Sequence, residues 1–575
     1  MTTTTPSTGP ALAAAPQPPP PQPPPPAAES QERMFPTLTP AQLARAAAHG
    51  RQREVGTGEL LLEPGGANKR LFVVRRGAVE IVRPGAGGVV EQVAVLRAGQ
   101  FTGEINLLAG RPTLVRARVT EPGEVVEVDR EQLLALVQAD GELSEILMRA
   151  FVLRRVQLIA RGVGDVVLVG SNHSPGTLRA REFLTRNGHP HAFVDLDRDE
   201  GVQELLDRFH VAVADIPVLI CRGEVVLRNP ANSEIADCLG FNDAVDRTRV
   251  RDLVVVGAGP AGLAAAVYGA SEGLDVLVLE TSAPGGQAGS SSRIENYLGF
   301  PTGVSGQELT GRAYAQAQKF GAELLVARGA TRLVCDRKPY ALELGDGASV
   351  PARAVIIATG AEYRRPAVPR LSQFEGVGVY YGATFMEAQL CAGEEVIVIG
   401  GGNSAGQAAV FLAQTARRVH VLVRSGGLAE TMSRYLIRRI EEHPAIELRT
   451  RTELVECDGD FHLERIAWRS GVTGEVERRD IRHVFVMAGA TPSTGWLARC
   501  VAVDAKGFIR TGPDLSHDDL AAARWPLARP PHLLETSLPG VFAVGDVRGG
   551  SMKRVAAAVG EGSAAVAFVH QVLRE

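Results

Sequence analysis

Two glycine-rich segments carry residues that could bind the phosphates of a nucleotide. The first is Gly257-Ala-Gly259-Pro260-Ala261-Gly262, which follows a run of valines and precedes a stretch of small residues. In this spacing the first glycine permits a tight turn, the second admits a pyrophosphate and the third lets helix and strand pack closely. The amino end of the following helix favours phosphate because it carries partial positive charge. The next predicted strand ends in Glu280, which can accept hydrogen bonds from a ribose 2′-hydroxyl.

The second glycine-rich segment has the same plan but a different acid–base pattern. It comprises Gly400, Gly401, Gly402, Asn403, Ser404 and Ala405, with Ala405 in place of the third glycine. Aligning Gly257 with Gly400 puts Val423 where the first unit has Glu280, and Arg424 follows at once. A missing carboxylate together with an arginine suits a 2′-phosphate, so the pattern favours NADPH over NADH. The alternative, that Arg424 is only a solvated surface residue, stays open.

The segments that flank the second unit belong to the first. Residues 355–360 and 540–546 are both apolar runs that end in a glycine turn, as a buried strand of the first unit would. The second unit is therefore nested inside the first, which predicts two Rossmann-like α/β domains. Two dinucleotide sites in one chain imply one bound flavin and one visiting nicotinamide.

Residues 250–575 resemble thioredoxin reductase of the low-molecular-weight flavoprotein class. Besides the two fingerprints, the matching motifs are Gly285-Gly-Gln287, Glu295-Asn296-Tyr297, Ala358-Thr-Gly360, Gly545-Asp546 and Lys553-Arg-Val-Ala556. The resemblance implies an FAD-binding domain over 250–368 and 488–575 (the first dinucleotide domain) and an NAD(P)H-binding domain over 369–487 (the second dinucleotide domain). It implies FAD and NADPH as cofactors and a homodimer.

The same resemblance assigns residues to the cofactors. The residues implied at FAD, beyond the fingerprint and Glu280, are Gly286, Gln287, Asn296, Thr359, Gly360 and Asp546, with the backbone of Val555 and Ala556 facing the isoalloxazine. The family usually carries two consecutive arginines for the 2′-phosphate. Here Ser425 follows Arg424, and Arg434 could compensate.

The catalytic dithiol of that family is absent. Its C-x-x-C aligns with Gly382-Ala-Thr-Phe385, so Gly382 and Phe385 stand where both sulfurs should be. The six cysteines, at 221, 238, 335, 391, 457 and 500, form no C-x-x-C anywhere. A lone thiol such as Cys391 cannot form an internal disulfide, and we interpret it as a small buried residue. The catalytic residues are thus unknown from the sequence.

Residues 36–160 (the barrel domain) predict a small β-barrel or jelly roll followed by helices. They resemble a cyclic-nucleotide-binding domain, with Gly103 and Glu104 in the matching phosphate cassette. The family's phosphate-pairing arginine falls on Thr113 and its hydroxyl neighbour on Leu114. Without that charge-assisted pair a cyclic phosphate loses about 1.5–3 kcal/mol. A docking role is the alternative that we favour over nucleotide binding.

Residues 163–245 (the mixed-sheet domain) alternate strand and helix and resemble a thioredoxin or glutaredoxin fold. Ile216-Pro217 looks like the family's cis-proline, while the redox motif position holds Ser174-Pro-Gly-Thr177 without sulfur. Hydroxyl groups do not undergo disulfide exchange. We therefore expect this domain to dock a partner or to pack against its neighbour.

Composition and charge exclude several classes of protein. The 575 residues carry a formal charge of −4, which argues against a strongly basic nucleic-acid binder. The Pro-rich segment 1–35 predicts a disordered tail without a signal peptide. We expect no metal site and no membrane partner. The charge-free stretch Leu253–Ala270 reads as strand, turn and helix, and we expect a cytoplasmic protein with reduced thiols.

The sequence thus predicts an NADPH-dependent flavoprotein reductase that passes electrons through FAD to an unidentified acceptor, which could be a disulfide protein, an iron–sulfur protein, a quinone or oxygen. The alternative is a redox- or nucleotide-responsive sensor with little turnover. Both hypotheses need the two nucleotide sites.

Overall fold

The structure of the chain is a computed structural model. It describes residues 32–64, 70–84, 90–103, 107–108, 113–160, 166–171, 174–196, 215–221, 225–242, 245–291, 293–497 and 499–575. The sequence-based predictions for the tail up to residue 31, for Glu104 and for a helix over 202–209 lie outside these residues.

The barrel domain is an antiparallel sheet followed by two helices. Its elements are α1 Pro40–Ala48, β1 Arg51–Val55, β2 Leu60–Leu62, β3 Leu71–Pro84, β4 Val90–Leu96, β5 Arg116–Val128, α2 Arg130–Ala139 and α3 Gly141–Ala160. The strand order is β1–β5–β3–β4, and β2 pairs with β5. Helix α3 returns to the barrel through Arg154, whose Nη1 donates to the carbonyl of Gly103 (2.8 Å). The predicted jelly-roll architecture is confirmed.

The mixed-sheet domain combines parallel and antiparallel pairs. Its elements are β6 Val166–Gly170, α4 Pro175–Arg186, β7 Ala192–Asp195, β8 Val218–Cys221, β9 Val225–Arg228 and α5 Asn232–Cys238. The strand order is β7–β6–β8–β9, with β6 parallel to β7 and antiparallel to β8. The predicted hairpin after Ile216 is present as β8–β9, and the Ile216–Pro217 peptide is cis.

The first dinucleotide domain has a parallel sheet with an antiparallel edge. Its first segment contains β10 Arg251–Val256, α6 Pro260–Ser271, β11 Val276–Glu280, α7 Gly286–Gly289, α8 Gly306–Lys319, β12 Glu323–Val326, β13 Ala330–Val334, β14 Tyr340–Leu344, β15 Ser349–Ile357 and β16 Ala361–Tyr363. The strand order is β12–β11–β10–β15–β14–β13. Valines and leucines of β10 and β11 are almost fully buried on both faces, as a doubly covered parallel sheet requires.

The second dinucleotide domain is inserted after β16. It contains β17 Val379–Tyr380, α9 Phe385–Leu390, β18 Glu395–Ile399, α10 Asn403–Leu412, β19 Arg418–Val423, α11 Arg434–Glu442, β20 Ile446–Thr450, β21 Thr452–Asp458, β22 Arg465–Ser470, β23 Val476–Arg479 and β24 His483–Val486. Its parallel sheet has the order β17–β24–β18–β19–β20, and β21–β22–β23 form a separate antiparallel sheet.

The chain then returns to the first dinucleotide domain. The returning elements are β25 Ala490–Pro492, α12 His517–Ala522, β26 Val541–Ala543 and α13 Val555–Val572. Strand β26 pairs with β15 in parallel, and β16 and β25 form the two-stranded connection between the domains. The sheet therefore contains strands from both chain segments, which establishes the predicted nesting.

Helix α13 is strongly apolar. Among the described residues it is the helix long and apolar enough to cross a membrane by length and composition. Its buried residues Ala565, Val566 and Val569 join the core that also contains α6. A core helix of a nucleotide-binding domain explains this composition. The stretch Leu253–Ala270 forms β10 and α6, as predicted.

The oxidation state of the cysteines differs from the reduced state that we expected. Cys335 is bonded to Cys500, and Cys221 to Cys238, so four of the six cysteines form disulfides. Cys391 and Cys457 are free and buried. The sequence could not reveal these pairs because the partners of each are brought together only by the fold.

Candidate active site

The first glycine fingerprint forms a close-fitting turn at the carboxyl end of β10. Gly257 has a φ of 103°, and a Cβ there would lie 2.4 Å from the carbonyl oxygen of Ala358. A Cβ on Gly262 would lie 1.9 Å from the carbonyl oxygen of Gly257. Gly259 is different, since the one atom of the described residues that an added Cβ would meet there is the Cα of Gly286, at 4.0 Å. The turn is thus closed on the protein side and open where a pyrophosphate would lie.

Glu280 lies at the end of β11, directly beside this turn. Its side chain is buried, and its two oxygens accept hydrogen bonds from the backbone N–H of Ala258 and of Ser282, each at 2.8 Å. These bonds fix the carboxylate at the position that the sequence predicted for a ribose contact. Backbone hydrogen bonds therefore fix the Glu280 carboxylate next to the glycine turn.

Helices α6 and α13 cross beside the first fingerprint. Helix α6 begins at Pro260, and α13 begins at Val555 and continues through Ala556. A Cβ on Gly562 of α13 would lie 2.1 Å from the carbonyl oxygen of Ala261. The amino end of α6 contributes partial positive charge at the fingerprint.

Asp546 lies between these helices in the turn after β26. Burial raises the pKa of its carboxyl group, and the nearby Lys553 ammonium opposes this change. Glu561, which the sequence analysis missed, accepts a hydrogen bond from the backbone N–H of Gly545 (2.7 Å) and pairs with Arg548. Glu561 lies one turn after the apolar start of α13, and only the structure shows that it faces Gly545.

Of the remaining residues predicted at FAD, Gly286 and Thr359 border the turn of the first fingerprint. Gly285 and Gly286 both have positive φ angles, and the Gln287 amide donates to the carbonyl of Ala361. The Thr359 hydroxyl donates to the carbonyl of Ser493 (2.9 Å). Gly360 adopts a φ of 66° beside them. Asn296 is exposed in a segment, 295–301, that lines an open cleft of about 520 Å³.

The second fingerprint repeats the geometry of the first. Gly400 has a φ of 141°, and a Cβ there would lie 2.5 Å from the carbonyl oxygen of Met487. Gly402 caps α10, and within the described part of the chain an added Cβ would meet only the carbonyl oxygen of Thr431, at 4.0 Å. Ala405 is fully buried at the position of the third glycine. The side chain of Asn403 accepts a hydrogen bond from the backbone N–H of Ser433 (2.7 Å).

Cations lie where a 2′-phosphate would be expected. Arg424 is exposed directly after β19, and Arg434 is exposed at the start of α11, next to Ser433. Arg451 was missed by the sequence analysis. Its backbone N–H donates to the carbonyl of Ser425 (3.0 Å), and its guanidinium lies 3.7 Å from a Cβ built on Gly426. The fold therefore places two arginines, from β19 and from the end of β20, around one loop.

Tyr363 lies at the boundary between the two dinucleotide domains. It ends β16, which pairs with β25, and its side chain packs against the core of the second domain. Burial raises the pKa of its hydroxyl group, Ser404 of the second fingerprint lowers it and the Asp546 carboxylate of the first domain raises it, so both residues lie nearby. Across the same boundary, Arg439 of α11 pairs with Glu295 (2.8 Å). The two dinucleotide domains therefore contact each other at Tyr363 and at the Arg439–Glu295 pair.

The positions of the lost dithiol contain no sulfur chemistry. Gly382 borders open space, since an added Cβ would meet no atom of the described residues within 4 Å. Phe385 begins α9, and its side chain lies outside the described part of the structure. Cys391 is fully buried, and burial raises the pKa of its thiol to about 12. This thiol stays protonated at physiological pH, in agreement with the interpretation of Cys391 as a packing residue.

The thioredoxin-type motif of the mixed-sheet domain has the predicted placement. A Cβ on Gly176 would lie 2.8 Å from the ring of Pro217, so the segment Ser174–Thr177 faces the cis-proline. Thr177 is fully buried against Gly170. On the other side, Pro175 touches the second dinucleotide domain, where a Cβ on Gly376 would lie 3.3 Å from the Cβ of Pro175.

The cassette of the barrel domain is described only in part. Gly103 has a φ of 96° and receives Arg154 at its carbonyl. Thr113 is half-buried, and Leu114 is buried at 8% exposure. Neither side chain can supply the positive charge that the resemblance would place there.

Comparison with known families supports both parts of this description. The family model described as pyridine nucleotide-disulphide oxidoreductase matches residues 251–562. The model described as cyclic nucleotide-binding domain matches residues 52–140. The two matches fall on the nested dinucleotide domains and on the barrel domain.

Individual relatives cover the carboxyl-terminal half of the chain. The thioredoxin reductase of Bacillus subtilis is 31% identical over 328 residues, which are 57% of this chain and 96% of the relative. The thioredoxin reductase of Mycolicibacterium smegmatis is 31% identical over 55% of this chain and 94% of its own length. Among solved structures, the thioredoxin reductase of T. acidophilum has a TM-score of 0.51 at 27% identity and is covered completely by 57% of this chain.

Proposed function

Because the chain belongs to the pyridine nucleotide-disulphide oxidoreductase family, we propose that it passes electrons from NADPH through FAD to an acceptor outside the polypeptide, without an internal dithiol. The observation that carries this proposal is the placement of Tyr363 between the two nucleotide sites. Its side chain packs against the core of the second domain, and Ser404 of one fingerprint and Asp546 of the other site both lie close enough to change the pKa of its hydroxyl. A nicotinamide held at the second fingerprint would thus be directed toward a flavin held at the first.

The protein's own residues bind and orient the cofactors. The turn at Gly259 and the amino end of α6 receive the pyrophosphate, and Glu280 is fixed for a ribose. FAD held by these residues would supply the hydride acceptor for NADPH and the electron donor for the external acceptor. Tyr363, which is half-buried, helps to exclude water from the space between the sites. Arg424 and Arg451 supply charge for the 2′-phosphate.

The absence of sulfur at positions 382 and 385 supports electron transfer without an internal dithiol. A thiolate is required for disulfide exchange, and neither glycine nor phenylalanine provides one. Cys391 cannot substitute because its thiol is buried and protonated. Electrons therefore leave the flavin for an external acceptor directly.

Anaerobic reduction tests this function. The holoprotein, mixed with one equivalent of NADPH, should lose its flavin absorbance near 450 nm, and addition of an acceptor should restore it. Quinones, a ferredoxin, oxidised thioredoxin and oxygen serve as the acceptor panel. A protein that binds FAD but is not bleached by NADPH overturns the proposal.

Restoring the dithiol isolates the role of sulfur. The double variant Gly382→Cys/Phe385→Cys should gain NADPH-dependent reduction of a small disulfide such as DTNB by about tenfold or more over the unmodified chain. The single variant Gly382→Cys is the matched control, since one thiol cannot form the internal disulfide. A double variant that reduces DTNB no faster than Gly382→Cys would contradict this role of sulfur.

A sensor remains the second candidate, and the match of the barrel domain to the cyclic nucleotide-binding family favours it. This domain touches the first dinucleotide domain, where the Gln138 amide donates to the carbonyl of Lys319 (3.4 Å). In a sensor, the reduced flavin would persist in air and the accessibility of this contact to hydrogen exchange would change with flavin state. Rapid reoxidation without such a change supports the enzyme.

A further inference from the structure

The thiol-free mixed-sheet domain ends its first helix on the flavin loop of another domain. Nη2 of Arg186, the last residue of α4, donates to the carbonyl oxygen of Gly286 (2.9 Å). The Asn187 amide donates to the carbonyl of Ser282 (3.4 Å). In return, the Gln307 amide of the first dinucleotide domain donates to the carbonyl of Thr185 (3.3 Å). Arg186 and Asn187 thus contact the segment that precedes and begins α7, and the neighbouring Thr185 contacts α8.

The loop that they contact has an unusual need for external support. Gly285 has a φ of 106° and Gly286 a φ of 53°, so two adjacent residues adopt conformations that glycine reaches at little steric cost. Glycine also loses the most conformational entropy when it is fixed. The Cα of Gly259 lies 3.1 Å from a Cβ built on Gly286, so this loop forms the wall opposite the pyrophosphate turn. Any motion of Gly286 would change the width of the phosphate site.

The charge of Arg186 also suits this position. Its side chain is 21% exposed and pairs with Glu182 at 3.3 Å, while Glu182 itself is 42% exposed. Its Nε is buried and has no hydrogen-bond partner among the described residues. The FAD pyrophosphate is an anion, and a guanidinium that is mostly withdrawn from water interacts with an anion more strongly than an exposed one does.

We propose that Arg186 is a positioning residue for FAD: it fixes the Gly286 carbonyl and adds positive charge beside the pyrophosphate turn. FAD affinity then depends on the docking of a domain that lies outside the flavoprotein half of the chain. The mixed-sheet domain keeps the thioredoxin-like outline but serves as a brace of the flavin site rather than as a redox centre. This inference rests on the FAD binding in the proposed function and not on the identity of the electron acceptor.

Flavin binding in the full-length chain, without NADPH, tests the proposal. Apoprotein of the wild type, Arg186→Ala and Arg186→Lys is titrated with FAD, and quenching of FAD fluorescence gives the Kd. We expect the alanine variant to raise the Kd about tenfold or more, the size of one lost charge-assisted hydrogen bond. Lysine, which keeps the charge and one donor, should restore part of the affinity. The visible circular dichroism of the bound flavin should change in the alanine variant.

The matched control is Arg149→Ala, since Arg149 is an exposed arginine of α3 that pairs with Glu145 four residues earlier, as Arg186 pairs with Glu182. Its FAD affinity should equal that of the wild type. At a fixed FAD concentration the increase in Tm on adding FAD follows the Kd, so it separates positioning from general stability. A lower Tm of apoprotein and holoprotein by the same amount, or an unchanged Kd, overturns the proposal. Failure of the wild type to bind FAD would instead refute the proposed function.

Discussion

Cys335 and Cys500 are joined by a disulfide that links the two chain segments of the first dinucleotide domain. Cys335 follows β13, and Cys500 follows the short 3-10 turn Gly495–Leu497. The bond closes a loop of 165 residues, which contains the whole inserted domain 369–487. The two halves of the flavin-binding sheet are thus connected covalently as well as through the β15–β26 pairing.

Removal of this bond should destabilise the fold. In the loop-entropy model, a cross-link over 165 residues lowers the conformational entropy of the unfolded chain and thereby raises its free energy by about 5 kcal/mol. We expect Cys500→Ser to lower the free energy of unfolding by up to this amount, measured by urea denaturation with flavin fluorescence. Cys335→Ser and the double variant should show the same loss as the single variant, because one bond is removed in all three. Additive losses would show that the two residues act separately.

Thiol titration should distinguish the two classes of cysteine. Burial raises the pKa of Cys391 and of Cys457 to about 12 each, so neither thiol is deprotonated at pH 8. We expect no rapid reaction of the native protein with DTNB. Two thiols should react after denaturation without reductant, and six after reduction. Six reactive thiols in denatured, unreduced protein would show that the disulfides do not form.

Selectivity for NADPH should depend on two arginines that the fold brings together. Arg424→Ala and Arg451→Ala should each lower kcat/KM for NADPH by about tenfold, because each removes one charge-assisted contact to the 2′-phosphate. The value for NADH, which lacks that phosphate, should stay unchanged. Arg438→Ala serves as the control, since Arg438 is exposed and pairs with Glu442 on the surface of α11. Equal losses for both nucleotides would contradict this assignment.

We expect Asp546 to destabilise the apoprotein at pH 8 and to strengthen the binding of FAD. Burial raises the pKa of its carboxyl group above the unfolded value. Such a group stabilises the fold below its unfolded pKa, and this contribution is lost as the pH rises through the raised value. Asp546→Asn should therefore raise the Tm of the apoprotein at pH 8 and have a smaller effect at pH 4.

The same substitution should weaken FAD binding about tenfold if Asp546 accepts a hydrogen bond from the ribityl chain. Calorimetric scans of apoprotein and holoprotein at both pH values measure the two effects. A variant with a lower apoprotein Tm at pH 8 would show that the buried carboxylate is stabilised by its neighbours instead.

The barrel domain should gain affinity for cyclic nucleotide when its missing cation is restored. Thr113→Arg places a guanidinium where the cyclic nucleotide-binding family carries one, and we expect cyclic AMP to bind about tenfold more tightly or better. Isothermal titration calorimetry measures the affinity. Gln92→Arg, an added arginine at an exposed position of β4, controls for net charge. Equal affinities of both variants would place the phosphate elsewhere.

The local motifs allowed much of the site to be predicted. Gly257, Gly259 and Gly262 each have a separate steric reason that is visible from spacing alone, and the structure gives each the expected surroundings. The nesting could also be predicted, because residues 355–360 and 540–546 are both apolar runs that end in a glycine turn. In the structure the two strands, β15 and β26, pair in one sheet. The alignment of Ser174–Thr177 opposite Pro217 followed from the thioredoxin-like order of elements.

Contacts between distant segments could not be predicted in this way. Glu561 opposite Gly545, Arg451 beside Gly426, Arg186 on Gly286 and the Cys335–Cys500 bond all join residues whose sequence neighbourhoods carry no motif. The expectation of reduced thiols was wrong for the same reason, since cysteine spacing does not reveal pairs that are formed by tertiary packing.

The sequence by itself determined the chemistry that this protein can and cannot perform: two dinucleotide turns are present, and sulfur is absent at 382 and 385. Such features are local, because turn geometry and side-chain reactivity depend on a few adjacent residues. Only the tertiary structure decided that Tyr363 lies between the two sites and that Arg186 reaches the flavin loop. Those relations depend on how whole domains pack, and packing is set by the summed burial of many side chains rather than by any one motif.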